Sequence, residues 1–290
     1  MTITPQMLGQ VVISGILAGA LYAMVALGLS LIFGVMRVIN VAHGPLLMLG
    51  AFATYFLYHG LGLNPYLGLP LVMVVMFGVG ALVQRTLVAR VVDAPELQSL
   101  LLTFGIAIAL VNLAQLAFTS DIRSVEYLTA SWTVGGFAFS KSRVIAGVLA
   151  VAITAGAFLF LGRTRLGKAI RATSQSPDVA LVCGIDVDRI RMITFGLACA
   201  LAGAGGALIA VMVAIQPEMG QIWTFKSFLV IVLGGAGNYP GALLGGILLG
   251  LVEQLSSLLL TAQLSEAVSY VLLVLVLLVR PTGLLGGRAT

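Results

Sequence analysis

The sequence predicts an all-α polytopic membrane protein, and three observations carry that prediction. The 290 residues are 60% hydrophobic and only 9% charged, where a water-facing domain carries about 25% charge. Mean hydropathy is +1.13, so most side chains must meet lipid or one another. The apolar residues fall into about eight hydrophobic segments, all but the last near or above the roughly 20 residues that span a hydrocarbon core as a helix. A membrane barrel would need short alternating segments, and the long runs do not alternate. Residues 1–290 read as a single transmembrane domain.

The segments lie near 8–35, 41–59, 66–84, 98–118, 144–162, 192–215, 227–258 and 266–280. The first has no basic residue ahead of it, Arg37 being the earliest. It is also too long for a signal-peptide core, so it reads as a mature span. Gly15 and Gly19 share one of its helix faces and permit close packing. Arg37, Asn40 and His43 cluster at the following turn; they form either a gate or inner vestibule, or a capped, hydrogen-bonded turn. His59 falls near a loop and is expected to be solvated. Asn112 and Gln115, three apart on one face of the fourth span, either line a pathway or bond a neighbouring helix.

Charge orients the chain. The interval 163–191 holds Arg163, Arg165, Lys168, Arg171, Arg189 and Arg191, six of the 15 basic residues, which places it on the cytoplasmic side. Counting outward from it leaves Arg123, Lys141, Arg143 and Lys226 as the outside cations. Arg280 and Arg288 then require a cytoplasmic tail. That is possible only if 227–258 enters, turns and returns. The run LGGAGNYPGALLGG supplies the break through Gly234, Gly235, Gly237, Pro240 and Gly241. A re-entrant or broken helical hairpin is expected here, with Glu253 near its end at an interface. Gly237, Gly241 and Gly245, and Gly246 and Gly250, repeat the spacing of four.

GRTRLGKAIR, residues 162–171, has the G-x-x-x-x-G-K spacing of a phosphate loop. Such a loop needs a strand before it and Ser or Thr after the Lys. Here a membrane helix precedes it, and residue 169 is Ala. Downstream, Ser176, Pro177 and Asp178 form a helix-start signal and Gly184 a stop. They bound a helix of about two turns, too short to stand alone, with Asp178, Asp186 and Asp188 set among basic side chains. This surface suits a partner protein. Cys183 and Cys199 have neither a metal nor a disulfide spacing, no metal or catalytic constellation is visible, and the net charge of +5 speaks of orientation and not of nucleic acid.

Together, GLSLIFGVMRVINVAHGPLLMLGAF, LGRTRLGKAIRA with its short helix, VLGGAGNYPGALLGGILLGLVE and LLVRPTGLLG resemble, in this order, the LivH-type permeases of ATP-binding-cassette importers for branched-chain amino acids. The resemblance implies a multi-pass subunit of a bacterial or archaeal cytoplasmic membrane that is not itself an enzyme. It implies a second homologous permease subunit, two cytoplasmic ATP-binding subunits that hold ATP and magnesium, and an extracytoplasmic solute-binding protein. The chain itself would need no cofactor. Asp178, Ala180 and Gly184 match a degenerate form of the family's coupling motif, E-A-A-x-x-x-G, with Asp for Glu and Val179 for the first Ala. The same permease design serves urea and short amides. A stand-alone secondary transporter or channel is the rival class; it would need coupling carboxylates deep in the spans.

Overall fold

The computed structural model describes residues 5–128, 130–134, 137–280 and 282–285. They form α1 (Pro5–Met36), α2 (His43–Leu61), α3 (Pro65–Thr86) with a short 3-10 turn (Val88–Arg90), α4 (Glu96–Phe118), strands β1 (Ser131–Val134) and β2 (Phe137–Ser140), α5 (Lys141–Arg163), α6 (Arg165–Gln175), α7 (Pro177–Val182), α8 (Val187–Ala210), α9 (Met219–Gly234), α10 (Tyr239–Ser256) and α11 (Ala262–Val279). Among the described residues, α1, α3, α4, α5 and α8 are each long and apolar enough to cross a bilayer. α9 and α10 pass the same test as a pair bent by 116°. The chain is an all-α, multi-pass membrane protein, and its broken pair falls where Gly235 and Gly237 lie.

Burial divides the helices. α1 and α8 are inner helices, whereas α3, α4 and α5 expose most of their apolar surface. Small residues decide this. In α8, residues 198–207 are Ala, Gly, Cys and Leu only, so neighbouring backbones come close. A Cβ at Gly50 of α2 would sit 2.5 Å from Gly203 Cα. The glycine pairs spaced by four find each other across α1 and α10. A Cβ at Gly19 would lie 2.7 Å from Ile247 Cα, and one at Gly250 would overlap the Gly15 carbonyl.

The chain between α1 and α2 does not turn at the membrane surface. Residues 37–42 run back beside α1, so that His43 Nε2 reaches the Val25 carbonyl at 2.9 Å. Met36 lies about 16 Å further along α1 at roughly 1.5 Å per residue. Asn40 and His43 are therefore deep in the bundle, both fully buried, while Arg37 stays at the end of α1. Gly28 makes the room: a Cβ there would be 3.1 Å from the His43 ring.

Three further features differ from the sequence reading. The polar interval 163–191 is mostly helical, and α8 begins before its basic residues end. The outer interval contains a β-hairpin with Ser131 paired to Ser140. Lys226, placed outside by charge, lies inside α9 and pairs with Glu253 of α10 at 2.6 Å. The carboxylate offsets the burial of that ammonium.

Candidate functional site

The buried segment before α2 is held from two sides. Asn40 Oδ1 accepts from the Ala42 amide at 3.1 Å, closing a local turn. From α4, Thr103 Oγ1 donates to the Ile39 carbonyl at 2.7 Å and accepts from the Val41 amide at 3.3 Å. From α9, Thr224 Oγ1 accepts from the Gly44 amide at 2.9 Å. Non-helical backbone at membrane depth survives only with such partners or beside a cavity. Asn40 Nδ2 and His43 Nδ1 are buried and make no hydrogen bond among the described residues.

Val41 and Pro45 form the floor of a groove of about 380 Å³ between α4 and α9. Phe104 and Ile108 wall one side, Phe225 and Phe228 the other, and Asn112, Gln221 and Glu218 line its polar part. Gln115 Nε2 donates to Glu218 Oε1 at 2.5 Å, and Asn112 Nδ2 donates to Ile108 of its own helix at 2.8 Å. Of the four pathway candidates, Asn112 thus lines the groove, Gln115 touches its lining through Glu218, and Asn40 and His43 flank Val41 in its floor. Sequence reasoning missed Glu218, Thr103 and Thr224. Glu218 sat in an interval read as loop, and threonines are unremarkable in apolar runs.

At the other end, GRTRLGKAIR is the last turn of α5, a cap and the start of α6. Thr164 Oγ1 accepts from the Gly167 amide at 2.9 Å, and a Cβ at Gly167 would overlap the Phe160 carbonyl. The stretch is helix–cap–helix and lacks the strand and open glycine loop of a phosphate site. α7 follows, with Ser176 Oγ accepting from the Val179 amide at 3.4 Å and Pro177 at the first helical position. Ala180 faces inward at 2% exposure, whereas Val179, Leu181 and Val182 stand out at 62%, 63% and 88%. Asp178 is exposed in the first turn. Gly184 takes φ +79°, which a Cβ resists, and the Asp186 side chain then caps α8 through the Arg189 amide at 3.0 Å.

Two clefts lie behind α7. One, of about 430 Å³, is lined by Arg37, Asp93, Ser176, Asp178 and Arg191. Arg191 clamps Asp93 with both terminal nitrogens at 2.8 and 3.2 Å. In the other, Ser174 and Gln175 of α6 face the α9–α10 break. Gly234 ends α9; Gly235 and Gly237 take φ of +99° and +75°. The Asn238 side chain caps α10 through the Gly241 amide at 3.0 Å, with Pro240 in the first turn and Gly241 packed on Gly234. The Leu284 amide bonds Leu233 at 2.8 Å, and Asn238 Nδ2 bonds Leu285 at 2.8 Å. Residues 282–285 therefore share one end of the bundle with the basic segment; Arg288 lies outside the described residues. His59 is at the opposite end, exposed and 3.3 Å from the Ser124 carbonyl. Among the described residues, no group of three or more His, Cys, Asp or Glu is placed to hold a metal.

Residues 11–277 match the family model described as the permease component of the branched-chain amino acid transport system. The chain is 32% identical to the high-affinity branched-chain amino acid transport system permease protein LivH of Escherichia coli K12, over 96% of this chain and 95% of that one. It is 30% identical to the corresponding protein BraD of Pseudomonas aeruginosa over the same shares. A probable LivH of Methanocaldococcus jannaschii is 28% identical over 92% and 89%. No solved structure matches it.

Proposed function

The chain belongs to the family of branched-chain amino acid transport permeases, and from that premise we propose that it is the transmembrane subunit of an ATP-binding-cassette importer. It carries branched-chain amino acids across the cytoplasmic membrane of a bacterium or archaeon. It works beside a second homologous permease, two cytoplasmic ATPase subunits that bind ATP and magnesium, and an extracytoplasmic solute-binding protein. The observation that carries this reading is α7, a capped helix presenting Val179, Leu181 and Val182 to solvent at the basic end of the bundle. Exposed apolar side chains on a two-turn helix call for a protein partner. Asp178 and Gly184 belong to that contact, and Ala180 anchors the helix to the bundle. Closure of the ATPases pushes α7 and α6 against the α9–α10 break and, through Arg191 and Asp93, against the start of α4. Solute passes along the α4–α9 groove, over the segment that holds Asn40 and His43. Glu253, the deep carboxylate a stand-alone secondary transporter would use, is tied up by Lys226.

Co-expression with the proposed ATPase subunits tests this. A photo-crosslinker at Val182 should join the chain to the ATPase subunit, and one at Ala180 should not. Crosslinking from neither position, in a complex that assembles, would remove α7 from the contact.

A further inference from the structure

The groove between α4 and α9 joins two different chemistries. Phe104 and Phe225 stand about half exposed along its walls, at 53% and 49%, and Phe228 lines the groove with them. Glu218 is the one carboxylate among the lining residues. Gln115 holds its Oε1, which orients the carboxylate and leaves Oε2 for another donor. A carboxylate, an exposed Asn112 and Gln221 on one stretch would be costly against acyl chains, so this face meets protein or water. A volume of about 380 Å³ with an apolar wall and a carboxylate near the Gln221 amide matches a small solute with an aliphatic body and a zwitterionic head: the carboxylate suits an ammonium group, and the amide suits a carboxylate. Urea and short uncharged amides have neither part.

We propose that this groove is the solute site of the permease. Glu218 receives the α-ammonium group of an aliphatic amino acid, Gln115 positions Glu218, and Phe104, Phe225 and Phe228 receive the branched side chain. The assignment rests on the transport reading above and deepens it: the permease itself selects by charge and shape and does not merely pass whatever is delivered. Glu218 and Phe225 also line the adjoining cleft against α11.

The test uses the full complex in proteoliposomes, with Asn112→Cys as a reporter modified by a methanethiosulfonate reagent. Leucine should slow the modification. Urea should not, and neither should 2-hydroxy-4-methylpentanoate, the leucine analogue without the ammonium group. Glu218→Gln should raise the leucine concentration for half-protection about tenfold or more, the scale of one lost hydrogen bond to a charged group, and Glu218→Asp should restore part of it. Without leucine, the reporter in Glu218→Gln should be modified at the parental rate, which separates loss of the site from loss of fold. Leucine uptake without protection, or equal protection by the hydroxy analogue, would overturn the assignment and leave the transport reading standing. Absence of leucine uptake by the unaltered complex would overturn both.

Discussion

Replacing Lys226 by Met should be among the most destabilising single changes in the chain. Its ammonium is 2.6 Å from Glu253 Oε1 and 3.2 Å from the Tyr22 hydroxyl, and it lies over the Tyr22 and Trp223 rings at 4.9 and 5.8 Å. The side chains of the pair are only 13% and 16% exposed. Tyr22 donates to the second carboxylate oxygen at 2.8 Å, so α1, α9 and α10 all meet at this point. Removing either charge strands the other in a poorly hydrated place, at a cost of about 3–5 kcal/mol. Removing both, as Lys226→Met with Glu253→Met, should come within about 1 kcal/mol of the unaltered chain, because such a pair roughly breaks even against apolar residues of similar volume. The interaction energy of the cycle then exceeds about 3 kcal/mol. Tyr22→Phe should cost about 1.5–3 kcal/mol through its bonds to charged partners. Equilibrium unfolding in mixed micelles reads these values, with Trp223 fluorescence reporting locally. If the two single changes simply added in the double variant, the ion pair would not be the joint described here.

The glycine seam predicts opposite signs for one chemical change. Gly250→Ala should destabilise because its Cβ overlaps Gly15, whereas Gly78→Ala meets nothing within 4 Å and should stabilise α3 by up to about 1 kcal/mol; the same unfolding assay compares them. Gly184→Val forces a β-branched residue to φ +79° at a cost of about 1–3 kcal/mol. Uptake and solute-stimulated ATP hydrolysis should fall together while membrane abundance holds, and normal values for both would leave α7 without a coupling role. Thr282→Cys should react with an impermeant maleimide in inside-out vesicles and not in intact cells. Labelling in intact cells would contradict the hairpin or the orientation.

The helical membrane class was legible because composition alone forbids a water-facing surface. The short α7 was legible because Ser176, Pro177 and Gly184 announce both its ends. The glycines spaced by four announced close packing, and the structure supplies the partners: Gly15 and Gly19 against Gly246 and Gly250. α6 was hidden because RLGKAIRATSQ is polar and contains Gly167, so it resembles a loop until Thr164 is seen as its cap. The β-hairpin was hidden because SWTV and FAFS are too short to stand out beside long apolar runs. Lys226 was misplaced because charge counting assigns a lone cation to the nearest polar interval, and its partner Glu253 is brought to it only by the fold. The depth of Asn40 and His43 had no local signal either; it depends on Val25, Gly28, Thr103 and Thr224 converging from three other helices. Glu218, the groove carboxylate, belongs with these, since its neighbour Gln115 is 103 residues away in sequence.

The central claim is that this chain moves branched-chain amino acids only as part of an ATP-driven complex. The most direct measurement reconstitutes it in vesicles with its partner permease, ATPase subunits and solute-binding protein, and follows radiolabelled leucine. The account predicts inward accumulation that requires ATP and the binding protein, and that disappears when the ATPase subunits are omitted. Leucine accumulation by vesicles holding this chain alone, driven by an ion gradient and indifferent to ATP, would contradict it.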